Sequence, residues 1–118
     1  MFEVMSESKD NILGLRMEGV IEKDDYAKLV PMVEDLVKQF GEVRILCDLG
    51  AFKHESPGAY FADMKFGHEF HDKIAKMAIV GDKRWEAWIT KLAAPFYARE
   101  ARYFPTAAID DAWAWIKS

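Results

Sequence analysis

The chain has 118 residues, of which 51% are hydrophobic and 31% charged, and its net charge at pH 7 is −4. This length suits one domain over residues 1–118, and the composition argues against a disordered chain. The acidic balance argues against nucleic acid as a partner, and the sequence lacks both a membrane-spanning stretch and a secretion signal. The single cysteine, Cys47, lies in an apolar run, so we expect a buried thiol and a cytoplasmic protein.

The first 41 residues predict a hairpin followed by a helix. Residues 2–6 and 12–19 are predicted strands, the second with alternating apolar side chains. In residues 24–40 the apolar positions recur at the three- and four-residue steps of an amphipathic helix, and Gly41 is expected to end it. Pro31 lies inside this helix and is expected to kink or split it.

The rest of the sequence alternates strands and helices. The predicted elements are strand 43–49, a loop over 52–55, helix 56–72, strand 77–80, helix 83–94 ended near Pro95, strand 100–104, and a last helix capped by Thr106. The order β-β-α-β-α-β-α-β-α predicts a single-domain α/β fold. Its sheet is expected to be mixed, with an antiparallel N-terminal hairpin and helices packed on it.

Four segments carry a family resemblance. They are DYAKLVP at 25–31, IAKMAIVGD at 74–82 followed by Trp85 and Trp88, ARYFP at 101–105, and AWAWI at 112–116. In this order and spacing they resemble the bacterial SpoIIAA-like family over essentially the whole chain. The resemblance implies a fold like the STAS domains of anti-sigma-factor antagonists, related in shape to the CRAL-TRIO (Sec14-type) lipid carriers. It also implies a small non-enzymatic protein with roles in apolar-ligand binding and membrane association.

The predicted third helix carries an aromatic and apolar stripe bordered by cations. The stripe consists of Trp85, Trp88, Ile89, Leu92 and Phe96, and the cations are Lys83, Arg84 and Lys91. Such a helix can lie in a membrane interface, or its stripe can line a pocket for an acyl chain or another apolar ligand whose anionic head group meets the cations. The remaining interpretation is that the stripe is ordinary core.

Ser56 gives a second functional hypothesis. In the anti-sigma-factor antagonists the loop after the third strand carries an Asp-Ser-Ser/Thr-Gly motif with a phosphorylated first serine, and 55–58 reads Glu-Ser-Pro-Gly here. The resemblance implies a phosphorylation switch at Ser56 and a regulatory protein partner. Ser followed by Pro is also a typical helix start, with Ser56 as the N-cap and Pro57 as the first helical residue.

No catalytic or metal site is predicted. His68 and His71 lie three residues apart on the second helix, but two ligands do not make a metal site, and the sequence contains no known nucleophile or phosphate-binding motif. We therefore expect a non-enzymatic protein without a cofactor, binding an apolar small molecule or lipid and contacting the inner face of the membrane peripherally. An exposed sheet edge or spare aromatic surface would suit a homodimer.

Overall fold

A computed structural model describes residues 1–89 and 94–118 of the chain. Its elements, in chain order, are β1 (Phe2–Val4), β2 (Ile12–Ile21), α1 (Lys23–Phe40), β3 (Val43–Glu55), α2 (Pro57–Phe70), β4 (Ile74–Gly81), α3 (Arg84–Trp88), α4 (Ala94–Tyr97), β5 (Ala101–Pro105), a 3-10 turn (Thr106–Ala108) and α5 (Ile109–Lys117). The predicted α/β architecture is confirmed.

The described strands form one mixed sheet of five, in the order β1-β2-β3-β4-β5. The first strand runs antiparallel to β2, with Phe2 opposite Met17. All other neighbouring pairs are parallel, and parallel neighbours require crossover connections that place helices on the faces of the sheet. The expected hairpin-led mixed sheet is therefore present.

Alternate residues of the central strands enter two separate cores. Ile45 and Cys47 of β3 belong to the core under α1, α2 and the segment around α3 and α4. Leu46, between them, belongs to the core that contains Trp113 and Ile116 of α5. Because successive strand residues point to opposite faces, α5 covers one face of the sheet and the other helices cover the second.

Two expectations for the first half of the chain concern the segment 52–55 and Pro31, and the first of them was wrong. The predicted loop 52–55 is the end of β3, where Phe52 lies opposite Gly19 and Glu55 opposite Ile21, because a long β2 continues the parallel pairing. Helix α1 is not split and runs through Pro31 to Gly41, which adopts the left-handed conformation as predicted. Pro31 is exposed, so water can satisfy the carbonyl that its missing N–H leaves free.

The predicted helix 83–94 is described only at its two ends, because residues 90–93 lie outside the described part of the chain. The described part contains a short α3 that ends at Trp88, and α4 begins at Ala94. Pro95 does not stop a helix but is the second residue of α4, where no N–H is needed. Thr106 begins a 3-10 turn, and no side-chain hydrogen bond caps α5, which follows Ala108.

Candidate functional site

A cavity of about 100 Å³ lies inside the core on the α1–α4 face of the sheet. Its floor consists of β2, β3 and β4 side chains such as Leu15, Cys47 and Ile79. Residues from α1, α2, α3 and α4 form the remaining walls. The lining is mostly apolar, with a few polar groups that come from different elements, which is the usual composition of a small-molecule site.

One wall of the cavity is aromatic. The ring centroids of Trp85 and Trp88 are 5.5 Å apart with planes at 85°, and the Trp88 and Tyr97 centroids are also 5.5 Å apart. Phe52 continues the row, 5.6 Å from Trp85. These edge and tilted contacts are the arrangement that aromatic pairs prefer. We call Phe52, Trp85, Trp88 and Tyr97 the aromatic wall.

Two carboxyl groups and two phenols meet inside the cavity. The Tyr26 hydroxyl lies 2.9 Å from Glu55 Oε2 and 2.9 Å from Asp63 Oδ1. The Tyr97 hydroxyl donates to Asp63 Oδ2 at 2.5 Å. This network, which we call the carboxyl pair with its two tyrosines, links the end of β3 to α1, α2 and α4.

The two contacts of the Tyr26 hydroxyl fit an arrangement in which one of the two carboxyl groups carries a proton. A phenol has one O–H donor, so the Tyr26 hydroxyl cannot donate to both Glu55 and Asp63. Both contacts are satisfied when Glu55 is protonated and donates to the Tyr26 oxygen, while Tyr26 donates to Asp63. The two carboxyl groups together then carry one negative charge, on Asp63, and one proton, on Glu55.

The electrostatics of the cavity agree with this arrangement. Burial, and after it the negative charge of Asp63, raises the pKa of Glu55 to about 7, because both effects penalise a second carboxylate. Burial and the same acids also raise the pKa of Tyr26 and Tyr97, so both phenols keep their protons. Cys47 is buried, which confirms the expectation of a buried thiol. Burial raises its pKa to about 12, which disfavours the reactive thiolate.

The Trp85 indole carries an unusual polar group in the cavity wall. Its Nε1 atom is buried and has no hydrogen-bond partner among the described residues. Buried indole N–H groups normally find an acceptor, and leaving one unpaired costs free energy. No described residue accepts from this donor, and the ring that carries it borders the cavity.

Gly67 of α2 lets α4 approach the cavity. A Cβ atom built on Gly67 would lie 2.7 Å from Phe96 Cε1 and 3.2 Å from Tyr97 Cδ1. A side chain at this position would therefore displace the exposed Phe96 ring and crowd Tyr97. The absence of one allows Tyr97 to reach Asp63 on the same helix as Gly67.

The predicted stripe is divided among three environments. Trp85 and Trp88 line the cavity, Ile89 is only 6% exposed within the core, and Phe96 is 38% exposed outside it. Lys83 and Arg84 are exposed, and the Arg84 guanidinium lies 5.1 Å from the Trp85 ring centroid and pairs with Asp82. Lys91 and Leu92 lie outside the described residues.

Ser56 is the N-cap of α2, as expected, because its hydroxyl accepts from the Ala59 N–H at 3.2 Å. Phosphorylation at this hydroxyl stays a prediction. The helix that follows exposes large apolar side chains, among which Phe61 is 70% exposed. Ser56 therefore begins a helix with an apolar outer surface.

Among the described residues, no group of three or more His, Cys, Asp or Glu side chains could hold a metal ion. His71 Nδ1 lies 3.2 Å from the carbonyl oxygens of Gly67 and His68, so backbone groups occupy it. No helix in residues 1–89 or 94–118 has the length and apolar character needed to span a membrane.

The carboxyl pair with its two tyrosines was missed by the sequence reasoning. Glu55 drew notice only as part of the Ser56 motif, and Tyr26 only as an apolar-face residue. A signal existed in α2, where Asp63 shares the helical face of the buried Ala59 and Phe66. An acidic residue on an inward helix face is rarely left without partners and marks a place to look.

Comparisons with known proteins agree on the fold. A model of the SpoIIAA-like family matches residues 12–117. An uncharacterised protein of the DUF3478 family from Shewanella loihica PV-4, with a SpoIIAA-like fold, superposes with a TM-score of 0.78 at 22% identity, over 98% of this chain and 92% of that one. The anti-sigma factor antagonist SpoIIAA in its unphosphorylated form gives 0.65 at 7% identity, over 100% and 99% of the two chains. No curated protein matches.

Proposed function

The chain belongs to the SpoIIAA-like family, and from that premise we propose that it is a non-enzymatic binding module whose cavity takes a small, mainly apolar molecule. The observation that carries this proposal is the cavity itself. It lies beside two half-buried indoles and is lined by buried core residues such as Leu15 and Ile45. Cores normally contain few voids larger than a water molecule, so a cavity of about 100 Å³ is an unusual feature of a domain this small.

The lining supports a ligand that is apolar over most of its surface. Strand residues such as Leu49 and Ile79 and the aromatic wall contribute hydrocarbon and ring surface. The polar groups are concentrated in the carboxyl pair with its two tyrosines and in the Trp85 N–H. This separation of apolar and polar lining orients a ligand, because its apolar part contacts the hydrocarbon and ring surface while its polar end contacts the polar groups.

The test is binding of a neutral apolar probe, 1-hexanol, followed by NMR of the indole N–H signals of Trp85 and Trp88. We expect saturable shifts of both signals. The variant Cys47→Met extends a side chain into the cavity and should weaken binding. Leu46→Met is the matched control, because it places the same side chain one residue away on the α5 face and conserves volume.

Two outcomes would contradict the proposal. One is the absence of saturable shifts with wild-type protein, and the other is equal weakening by Cys47→Met and Leu46→Met. Circular dichroism of both variants checks that each is folded. A loss of binding confined to Cys47→Met places the probe in the cavity.

A lipid ligand and peripheral membrane contact are a further part of the proposal. Two helices expose several large apolar side chains, which are Tyr60, Phe61 and Met64 on α2 and Phe96 on α4. Exposed apolar groups that lie together can mark a membrane contact, whereas single scattered ones do not. Flotation with anionic liposomes tests this. We expect recruitment of wild-type protein that Phe61→Ser reduces, and no recruitment would remove the membrane role while leaving the cavity proposal standing.

A protein-interaction switch at Ser56 is the second candidate function. The observation that favours it is the position of Ser56, at the start of a helix that exposes Tyr60 and Phe61 to a partner. A phosphate there would lie at the N-terminus of α2, beside the Ala59 N–H that donates to the Ser56 hydroxyl, and would add negative charge next to that surface. Mass spectrometry of the protein isolated from its host tests it, and Ser56 unmodified under all growth conditions would exclude the switch.

A further inference from the structure

The cavity has a one-sided charge distribution. Among its described lining residues the only charged types are Glu55 and Asp63, and none is Lys, Arg or His. The other titratable groups that face the pair are Tyr26 from α1, Tyr97 from α4 and Cys47 from β3, and all three have raised pKa values that keep them neutral. No described residue of the cavity lining supplies a positive charge to the carboxyl pair.

The proton on Glu55 lies where the positive charge of a bound cation would lie. In the absence of a ligand, one proton between Glu55 and the Tyr26 oxygen satisfies the geometry, with both Tyr26 contacts at 2.9 Å. An ammonium group offers three donors and a full positive charge. It would let both carboxyl groups ionise, and charge-assisted hydrogen bonds of this kind are stronger than neutral ones.

The aromatic wall fits the same ligand class. Trp, Tyr and Phe faces attract a cation through the ring quadrupole, and Trp does so best. Trp88 lies 5.5 Å from both Trp85 and Tyr97, and Tyr97 is also the donor to Asp63. The carboxyl pair is therefore joined directly to an aromatic surface on which the carbon next to an ammonium nitrogen can lie.

The size of the cavity limits the ligand. A protein cavity of roughly 150 Å³ accepts benzene, which has six non-hydrogen atoms. A cavity of about 100 Å³ therefore encloses about four such atoms, which correspond to the ammonium group and the first three carbons of a primary amine. The rest of a six-carbon chain would extend along the half-buried rings of Trp85 and Trp88, whereas a whole phospholipid is far larger than the cavity.

We propose that the cavity binds a small apolar amine, whose ammonium group replaces the carboxyl proton that Glu55 donates to Tyr26 while its hydrocarbon lies against Trp85 and Trp88. The inference rests on the proposed function and adds the ligand class. Binding releases one proton to solvent for each ammonium group taken up. No covalent bond forms or breaks other than the O–H bond of the carboxyl group.

The experiment compares three probes of equal length: n-hexylamine, 1-hexanol and hexanoate. Isothermal titration calorimetry at pH 6.5, in phosphate and in Bis-Tris, measures affinity and the number of protons released. We expect n-hexylamine to bind at least about tenfold more tightly than 1-hexanol, a difference of about 1.4 kcal/mol. Hexanoate should bind more weakly than both, and the heat of amine binding should depend on the buffer.

Two variants locate the effect, and one is a control. Glu55→Gln and Asp63→Asn each keep the shape of the side chain and leave a single acid, so each should abolish the proton release. The preference for amine over 1-hexanol should fall, because the ammonium group then meets one carboxylate instead of two. Binding of 1-hexanol should change little. Glu34→Gln, an exposed position on α1 outside the cavity, is the control and should leave all three affinities unchanged.

The outcomes separate this inference from the proposed function. Binding of 1-hexanol equal to or tighter than that of n-hexylamine, or amine binding with no proton release, overturns the amine inference and leaves the apolar cavity standing. Binding of none of the three probes overturns both. The wild-type comparison decides the question even if a variant fails to fold.

Discussion

On the α5 face of the sheet, Trp113 is only 6% exposed and lies so close to the β2 backbone that a Cβ atom on Gly14 would be 2.4 Å from its Cη2. On the opposite face, Trp85 and Trp88 are half-buried beside a cavity, and the Trp85 N–H has no acceptor among the described residues. The same residue type therefore closes one core and borders an unfilled space in the other. Only the second face has the properties of a binding site.

The largest expected effect comes from deleting one indole on each face. Trp113→Ala should cost about 3–5 kcal/mol of unfolding free energy, because a large side chain leaves a closely packed core. Trp88→Ala should cost less, about 1–2 kcal/mol, because its ring is partly exposed and already borders empty space. Urea denaturation measures both values, and equal losses would show that the two faces do not differ in packing.

The next comparison adds a methyl group to each face. Gly14→Ala should destabilise the fold by about 1–3 kcal/mol, because the methyl group meets the enclosed Trp113 ring and the chain cannot expand there. Gly67→Ala should cost under about 1 kcal/mol, because its methyl group meets the exposed Phe96 ring and Ala is favoured over Gly in a helix. The midpoints of thermal unfolding measure the difference, and the reverse order would contradict it.

The fold could be predicted from the sequence because burial patterns determine it. Alternation in β2 and the helical spacing from Tyr26 to Val33 indicate which faces are covered. The length of β3 could not be read in this way. Its last residues, Phe52 to Glu55, are partly exposed and polar, and they form a strand because β2 pairs with them along the sheet.

The site was only half predictable for a related reason. The predicted stripe singled out Trp85 and Trp88, because large aromatic residues beside cations are visible in one segment. The carboxyl pair with its two tyrosines is assembled from four separate elements, and no local pattern joins Tyr26, Glu55 and Tyr97. Such contacts exist only after the helices pack, so they lie beyond a segment-by-segment interpretation.

The pH dependence of stability tests the carboxyl pair. The change in unfolding free energy with pH should be smaller than the effects of the substitutions above, because Glu55 is partly solvated. A folded pKa of about 7 lies above the ordinary value of 4.5, so the folded chain holds this proton more tightly than the unfolded chain. The resulting stabilisation is complete below pH 4.5, declines as the pH rises to about 7, and is absent above it.

In Glu55→Gln this decline should disappear. Urea midpoints of wild type and variant at pH 5 and pH 8 measure it, and the difference between the two proteins cancels the titration of all other groups. The wild type should lose stability relative to the variant as the pH rises. A constant difference would show that Glu55 titrates at its ordinary pKa and that no proton is shared.

The smallest expected change in stability is that of Trp85→Phe. A change close to zero would indicate that the Trp85 N–H has no hydrogen-bond partner. Removing a buried N–H that has no acceptor also removes its desolvation penalty, which offsets the lost ring surface, so unfolding should change by less than about 0.5 kcal/mol. Trp113→Phe on the opposite face lacks this compensation and should cost more. If Trp85→Phe is clearly the more destabilising of the two in urea, the Trp85 N–H already has a partner in the folded protein.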